Sequence, residues 1–439
     1  MKRLVGLEAG LTHFENNRTV VADSILSDGN GLFKDQLNPS DFASRVIDIV
    51  KKEGDAGVRR ISASLDKDEL EFFEVTQEQL DSAVDQLDAN SRSAFENAAD
   101  RVSKFQSRGL PKSWTDGTGK FGEKVTPLRS VAAYVPGGTA PLASTVIMTV
   151  VPAKVAGVDE VIVATPAPGR SLPHPAVLAA ARIAGADRVF KIGGAQAIAA
   201  LAYGTESIPS VDLICGPGNA WVTAAKKLVY GDVGIDGLYG PTETLVIADE
   251  SADPRFTAAD LIAQAEHDVV AMPILIALSD EVADATERAV VEQLENLPRR
   301  DTARSAFENR GEIVVVSDED EAAEVANAAA PEHLCILTTN PEELGEKIRS
   351  AGGLFIGEWS AEVMADYVAG PSHVMPTAGT ARFSSALSVR DFVRVTPVLN
   401  FDSETFIQLS SDAELLAKLE GLHGHAAASE HRRRHLIGE

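Results

Sequence analysis

"VDLICGPGNAWVTAAKKLVYG", residues 211–231, joins a short apolar run to a glycine-rich turn and then to a segment whose apolar residues have helical spacing. That order is typical of a β-strand followed by an α-helix. The same order occurs three times earlier in the chain, starting near residues 129, 160 and 187. Four such units in succession predict parallel βαβ structure.

The alternation continues in the second half of the chain. Between residues 242 and 359, helical segments separate five more apolar runs: "TETLVIADE", "PILIALSD", "GEIVVVSD", "HLCILTTN" and "GLFIGEW". We therefore predict an α/β fold with two consecutive Rossmann-like parallel-sheet domains. The first ~120 residues have mostly helical periodicity, and so does the tail from about residue 386.

These patterns suggest domain boundaries. We predict an N-terminal arm over residues 1–29 and a discontinuous first Rossmann-like domain made of residues 30–133 and 243–385. Residues 134–242 would form a second such domain that carries the glycine turns. Residues 386–439 would form a small helical C-terminal appendage. The GxGxxG fingerprint of dinucleotide-binding domains is missing from the chain.

Charge and cysteine content limit the possible partners and compartment. The 439 residues include 65 acidic and 40 basic side chains, a formal charge of −25, which argues against nucleic-acid and anionic-membrane partners. Cys215 and Cys335 both lie in apolar runs, as expected for reduced core thiols. The chain has no apolar run of about 18 residues and no recognisable signal peptide. These features predict a soluble, cytoplasmic protein.

Three glycine turns lie where predicted strands end, at residues 134–141, 192–196 and 215–219. Parallel sheets bind ligands at the carboxyl ends of their strands, where helix N-termini present backbone N–H groups. Glycine also lets the backbone approach a ligand closely. The turns favour an anionic or nucleotide ligand, although tight strand–helix connections would explain them equally well.

Polar side chains suggest a second kind of site. Gln264 and His267 are three residues apart late in a predicted helix, whose start at "TAAD" (257–260) fits a capping box. An imidazole and an amide oxygen on one face can ligate a metal, although a surface helix explains the pair as well. Asp366 and His373 lie in a loop rich in glycine and proline, a common place for functional residues.

Glu332 and His333 are adjacent in "AAAPEHLCIL" (328–337), just before an apolar run. Pro331 favours a loop there, so the two residues could be ordinary loop residues or a pair that handles protons. The tail carries further groups that can bind metal or sit on a solvated helix end: Glu420, His423, His425, His431 and His435.

Seven motifs occur in the order seen in histidinol dehydrogenases: "YVPGGTAPLAST", "GGAQAIAALAYGTESIP", "CGPGNAWVTAAK", "QAEHD", "APEHL", "ADYVAGPSHVMPT" and "EGLHGH". The chain resembles that family from about residue 30 to 425. The resemblance implies NAD-dependent oxidation of L-histidinol to L-histidine through L-histidinal, the last two steps of histidine biosynthesis. It also implies one zinc ion per subunit of a homodimer whose active sites are shared.

The resemblance also implies residue roles. Gln264, His267 and Asp366 of one subunit would bind zinc together with His425 of the other, since the family's ligand falls five residues after the glutamate that Glu420 matches. Glu332 and His333 resemble the acid/base pair, in which the histidine takes the alcohol proton and the glutamate activates the water that hydrates the aldehyde. The remaining roles are NAD contacts at Tyr134, Gln196 and Asn219, and substrate contacts at Ser144, Thr242, Gln264, His267, His333, Asp366, His373, Glu420 and His425.

Three positions depart from the family pattern. Thr242 stands where serine is expected, "GPSH" (370–373) replaces G-T-N-H, and Ala330 replaces a common glycine. All of the implied ligands and proton carriers are retained. Two other functions remain open: a related zinc- and NAD-dependent dehydrogenase of another small alcohol, such as a sulfonated diol, and a catalytically inactive oligomeric scaffold or small-molecule-binding protein.

Overall fold

The computed structural model describes residues 1–16, 26–67, 71–137, 141–169 and 171–438. Part of the predicted N-terminal arm (17–25) and part of the first glycine turn (138–140) lie outside the described residues. The chain divides into two compact units. The first comprises Met1–Leu110 and Leu128–Phe392, and the second Pro111–Pro127 and Val393–Glu439.

The strands are β1 (Lys2–Val5), β2 (Glu74–Val75), β3 (Trp114–Thr115), β4 (Phe121–Pro127), β5 (Ser130–Tyr134), β6 (Glu160–Ala164), β7 (Arg188–Phe190), β8 (Leu213–Cys215), β9 (Gly234–Ile235), β10 (Glu243–Ala248), β11 (Met272–Ala277), β12 (Glu312–Val315), β13 (His333–Leu337), β14 (Gly353–Ile356) and β15 (Val393–Leu399).

The helices are α1 (Leu7–Asn16), α2 (Pro39–Leu65), α3 (Gln77–Asp85), α4 (Ala89–Gly109), α5 (Ala143–Ala156), α6 (Pro175–Ala184), α7 (Gly194–Tyr203), α8 (Ala220–Val229), α9 (Pro254–Ala265), α10 (Asp280–Leu294), α11 (Arg300–Arg310), α12 (Glu319–Ala329), α13 (Pro341–Lys347), α14 (Glu362–Tyr367), α15 (Ser403–Leu419) and α16 (His423–Ile437). Short 3₁₀ turns cover Thr380–Arg382 and Val389–Phe392.

Two six-stranded sheets form the framework of the first unit. One has the order β2-β7-β6-β5-β8-β9 and the other β1-β12-β11-β10-β13-β14. All pairings are parallel except that of β2 with β7. The central strands are buried along their whole length, as expected for parallel sheets covered by helices on both faces. The predicted α/β fold with parallel sheets is therefore confirmed.

The edges of these sheets contain strands that the sequence did not predict. β1, from the segment predicted as an arm, pairs with β12, and α1 packs against α12. β2, from the part predicted as helical, pairs with β7. These strands have two to four residues, too few to show a hydrophobic period, and β1 is mostly exposed. The predicted domain boundaries stay a prediction.

Helix α2 bends at Gly54, whose φ of 54° and ψ of −134° interrupt the helix. The carboxylate of Glu206 fills the bend and accepts a hydrogen bond from the Asp55 N–H at 2.7 Å. A Cβ at Gly54 would collide with that carboxylate, so the bend requires glycine. The second half of α2 runs on to Asp66, which contacts one of the glycine turns described below.

The second unit is a three-stranded antiparallel sheet, β15-β4-β3, with the helix pair α15 and α16. The predicted appendage was expected to be helical, but β15 is a strand paired with β4 over seven residues. Among this unit's described residues, Ala426 is the only apolar side chain that is buried. The unit therefore contains almost no hydrophobic core of its own.

None of the helices in the described ranges combines the length and the apolar character that crossing a bilayer requires.

Candidate active site

Thr242 and Glu332 meet at the amino edge of the second sheet. Each immediately precedes a strand, and those strands, β10 and β13, are paired neighbours. Thr242 Oγ1 lies 2.6 Å from Glu332 Oε2 and 2.8 Å from Gln264 Oε1. Because one hydroxyl has a single proton, Thr242 donates to only one of these oxygens at a time. The hydroxyl that replaces the expected serine therefore contacts both Glu332 and Gln264.

The side chain of His333 is buried, with 3 % of it exposed. Its Nδ1 lies 3.1 Å from the carbonyl oxygen of Glu243, and its Nε2 lies 3.3 Å from Asp366 Oδ1. The ring stacks on Phe355 at a centroid distance of 5.8 Å. A carbonyl can only accept, so Nδ1 carries a proton, and Nε2 is the nitrogen that can exchange one.

Charges around His333 favour its protonated form. Burial lowers the pKa of this imidazole, but the carboxylates of Glu332, Asp366 and Glu362 outweigh burial and raise the pKa to about 10. Burial raises the pKa of the Glu332 carboxyl, against the opposing effect of His333 and of the hydrogen bonds from Thr242 and the Glu243 N–H. Glu332 Oε2 lies 3.7 Å from His333 Nδ1, so the two residues act on each other directly.

The backbone before this pair has an uncommon conformation. Ala330 ends α12 with a φ of 48°, in the left-handed region. Its N–H bonds the carbonyl of Ala326, as in a helix terminated by glycine. The departure from the family's glycine at this position therefore leaves the turn intact.

Gln264, His267 and Asp366 lie close together in the first unit. Gln264 is in the last turn of α9, and the His267 N–H bonds its carbonyl at 3.0 Å just beyond the helix. Asp366 lies on α14, and its carboxylate and the His267 imidazole each influence the pKa of the other. Burial lowers the pKa of His267, which favours the neutral imidazole that a metal requires.

The donor set fits zinc, since it combines an amide oxygen, an imidazole nitrogen and a carboxylate. Burial raises the pKa of Asp366, but the hydrogen bond from His333 and the nearby histidines outweigh it, so the carboxylate remains ionised. No cluster of three or more His, Cys, Asp or Glu side chains able to hold a metal occurs in the described part of the chain. Of the three proposed ligands, His267 and Asp366 are of these types, whereas Gln264 is an amide.

The start of α9 differs from the prediction. The helix begins at Pro254 and is capped by Asp253, whose Oδ1 accepts from the Arg255 N–H at 2.8 Å. The predicted capping box at "TAAD" (257–260) is therefore wrong, because Thr257 already lies inside the helix. Proline at the first helical position and aspartate before it are the stronger start signal.

His373 connects the glycine- and proline-rich loop to α5. Its Nδ1 lies 2.9 Å from the carbonyl of Asp366, and its Nε2 lies 3.1 Å from Thr145 Oγ1. In the same loop, Ser372 Oγ donates to the carbonyl of Met148 at 3.0 Å. Ser144, which the sequence analysis named, is half-buried beside Thr145 on α5.

Sequence reasoning missed the buried carboxyls around the site. Glu243 Oε1 accepts from the Ala378 N–H at 2.8 Å, and Glu362 Oε2 accepts from Thr244 Oγ1 at 2.6 Å. Burial raises the pKa of both carboxyls to about 8. A glutamate that opens an otherwise apolar strand, as in "TETLVIADE", is the signal that could have indicated Glu243.

The implied NAD contacts lie at the carboxyl ends of strands in the first sheet, as the glycine turns predicted. The Tyr134 hydroxyl, at the end of β5, accepts from the Gly194 N–H at 3.1 Å. Gln196 is fully buried, and its Nε2 donates to Asp66 Oδ2 at 3.1 Å. Asn219 is exposed and caps α8, its Oδ1 accepting from the Trp221 and Val222 N–H groups.

Glu420 and His425 belong to the second unit. Glu420 is the exposed residue that ends α15, and His425 is exposed in the first turn of α16. His423 begins α16 and is also exposed.

Comparison with known proteins identifies relatives along most of the chain. The family model described as histidinol dehydrogenase matches residues 34–433. A histidinol dehydrogenase of Thermus thermophilus is 50% identical over 390 residues, which cover 88% of this chain and 93% of that protein. A histidinol dehydrogenase of Deinococcus radiodurans is 47% identical over 418 residues, 94% of this chain and 95% of that protein.

A solved structure agrees with these relatives. The crystal structure of histidinol dehydrogenase from Elizabethkingia anophelis superimposes with a TM-score of 0.90 at 30% identity. The superposition covers 100% of this chain and 99% of the other.

Proposed function

Because the chain belongs to the histidinol dehydrogenase family, we propose that it oxidises L-histidinol to L-histidine through L-histidinal. Each histidinol would reduce two molecules of NAD⁺ in turn, and each subunit would hold one zinc ion. The observation that carries the proposal is the contact network at the amino edge of the second sheet. There Thr242 Oγ1 lies within hydrogen-bond distance of both Glu332 and Gln264, and His333 bonds Asp366. These contacts support the proposal because they join the residues proposed to handle protons to those proposed to bind zinc.

Zinc held by Gln264, His267, Asp366 and a His425 from a second subunit would supply substrate orientation and a lower alcohol pKa. His333 takes the alcohol proton at Nε2, while its Nδ1–H stays on the Glu243 carbonyl. Asp366 is among the carboxylates that raise the pKa of His333. A zinc ion held by Asp366 would weaken that contribution and would favour the neutral imidazole.

Each oxidation removes one proton and one hydride. In the first, the alcohol O–H proton goes to His333 and the carbinol hydride goes to NAD⁺, which leaves the aldehyde. In the second, Glu332 removes a proton from the water that adds to the aldehyde, and the hydrate gives its hydride to a second NAD⁺. Glu332 suits this role because burial raises the pKa of its carboxyl above the usual range.

We also propose a homodimer with shared active sites. The second unit exposes Leu415, Leu416 and Leu419 to more than half of their surface and contains almost no core. Beside Asp366 in the first unit, α14 exposes Val363 and Met364. Exposed apolar side chains of this kind are typical of interaction sites, and a second copy of the chain would cover them. The free, buried thiols of both cysteines support the proposed cytoplasmic location.

The test is NADH production by the purified, zinc-supplied protein with L-histidinol, alongside other small alcohols that include a sulfonated diol. The proposal expects two NADH for each histidinol, with histidine as the product. One NADH for each histidinol would contradict the two-step reaction. Turnover of another alcohol in place of histidinol would assign the same acid/base pair to a different substrate.

A further inference from the structure

A buried ion pair joins helix α8 to the segment that follows β9. Lys226 Nζ lies 2.5 Å from Asp236 Oδ1, and the two side chains are 2 % and 1 % exposed. The Lys226 ammonium also lies 4.9 Å from the centre of the Tyr239 ring, within the range of a cation–π contact. Neither Lys226 nor Asp236 belongs to the contact network of Thr242, Glu332 and His333 described above.

The pair binds both backbone groups of Gly216, in the glycine turn after β8. Lys226 Nζ donates to the Gly216 carbonyl at 2.8 Å, and the Gly216 N–H donates to Asp236 Oδ2 at 2.7 Å. Gly216 has a φ of 105°, and a Cβ there would collide with the carbonyl oxygen of Tyr134. The ion pair thus holds the turn between Tyr134 and Asn219, two of the three proposed NAD contacts.

The same pair anchors the segment that leads to the acid/base site. Asp236 lies six residues before Thr242, which bonds Glu332. Midway along this segment, the Tyr239 carbonyl accepts from Thr223 Oγ1 of α8 at 2.9 Å. The NAD turn and the segment that carries Thr242 are therefore fixed to the same turns of α8.

We propose that Lys226 and Asp236 are positioning residues that fix the coenzyme turn relative to the Thr242–Glu332 pair. This inference rests on the proposed function, because it takes the Gly216 turn as part of the NAD site. The turn lies between two proposed NAD contacts, so a small displacement of the turn should weaken NAD binding. Hydride transfer also needs the nicotinamide and the substrate carbon in near contact. A buried ion pair seldom adds net stability over apolar residues, which leaves geometry as its role here.

The experiment compares Lys226→Met with the double variant Lys226→Met/Asp236→Asn, and uses Lys227→Met as the matched control. Lys227 is the next residue on α8 and is exposed. Lys226→Met alone leaves a buried carboxylate without its counter-charge and should lower the Tm. The double variant removes both charges and should regain most of that loss. The double variant still tests the inference if Lys226→Met alone fails to fold.

The decisive readout is the KM for NAD⁺ set against the KM for histidinol. We expect the KM for NAD⁺ to rise at least about tenfold in the double variant, or about 1.4 kcal/mol, because the Gly216 carbonyl still lacks its donor. The KM for histidinol should stay within about threefold of the wild-type value, and Lys227→Met should match wild type throughout.

A folded double variant with a wild-type KM for NAD⁺ would overturn the inference and leave the pair a purely structural role. Failure of the proposed function looks different, because the wild-type protein itself would then form no NADH from histidinol. In that case NADH binding, followed by its fluorescence, still compares the variants. Equal affinity in wild type and double variant would then count against the positioning role.

Discussion

Thr242 Oγ1 lies between Glu332 Oε2 and Gln264 Oε1, at 2.6 and 2.8 Å. One hydroxyl thus connects the carboxyl proposed to activate water with an amide oxygen proposed to bind zinc. The contact with Glu332 arises because Thr242 and Glu332 precede strands that are neighbours in the sheet, whereas Gln264 is supplied by the last turn of α9.

Replacing Thr242 tests this connection. Thr242→Val keeps the shape but removes one of the two donors that the described residues offer to Glu332 Oε2, leaving the Glu243 N–H. We expect kcat/KM for histidinol to fall roughly ten- to hundredfold, the cost of an unmet buried hydrogen bond. Thr242→Ser, the matched control, should keep most of the activity. Equal activity in the valine and serine variants would show that the hydroxyl is dispensable.

Asp260 should make the stability of the protein depend on pH. Burial raises the pKa of this α9 carboxyl to about 6, from an ordinary value of 3.8. Between these values the unfolded chain loses the proton while the folded chain keeps it. The contribution of Asp260 to stability is therefore highest below pH 3.8, falls as the pH rises through this window, and levels off above pH 6.

Asp260→Asn should remove the loss of folding stability that Asp260 causes as the pH rises. We expect the variant to be more stable than wild type at pH 7.5 by about 2 kcal/mol in urea unfolding, with a smaller difference at pH 5. Asp301→Asn, whose side chain is 90 % exposed in the parent, is the control and should change little at either pH. A variant less stable than wild type at pH 7.5 would contradict the raised pKa.

Asn219 should have two separable roles. It caps α8 through Oδ1, and the family resemblance assigns it a contact with NAD. Asn219→Asp keeps a good cap, so its Tm should stay near wild type, but it replaces amide donors with a charge and should raise the KM for NAD⁺. Asn219→Ala should lose about 1 kcal/mol of stability as well. An aspartate variant with a wild-type KM for NAD⁺ would remove Asn219 from the coenzyme site.

Sharing of the active site predicts complementation between inactive variants. His425→Ala and His333→Ala should each be inactive alone. In a hybrid dimer, one site would combine His333 from one chain with His425 from the other. An equal mixture that exchanges subunits freely should regain about a quarter of wild-type activity, since half of the dimers are hybrid and half of their sites intact. Each variant incubated alone is the control, and no recovery after demonstrated exchange would exclude a shared site.

The sequence predicted the central strands well and the edges poorly. β10 and β13 are runs of five or six buried residues, so their apolar character is visible without the fold. β15 has seven residues but is exposed along most of its length, so it leaves no such pattern. Its pairing with β4 joins segments more than 260 residues apart, which local periodicity does not report.

The active site shows the same limit. Glu332 and His333 were candidates because they are adjacent in sequence before an apolar run, and the family resemblance implied their acid/base role. Glu362 was not, because its importance comes from a bond to Thr244 across 118 positions. His373 was visible as a loop histidine, but its partner Thr145 lies 228 residues away. Residue type and spacing indicate which groups can react, whereas contacts between elements decide which of them meet.

The register of β10 on β13 sets Thr244 opposite His333. Because alternate residues of a strand face opposite sides of a sheet, inserting one residue near the start of either strand would turn the side chains that follow it to the wrong face. Insertions in the loops and helices between the two strands leave the register unchanged. An engineer could therefore graft new sequence into those connections, whereas neither strand start tolerates a change of length.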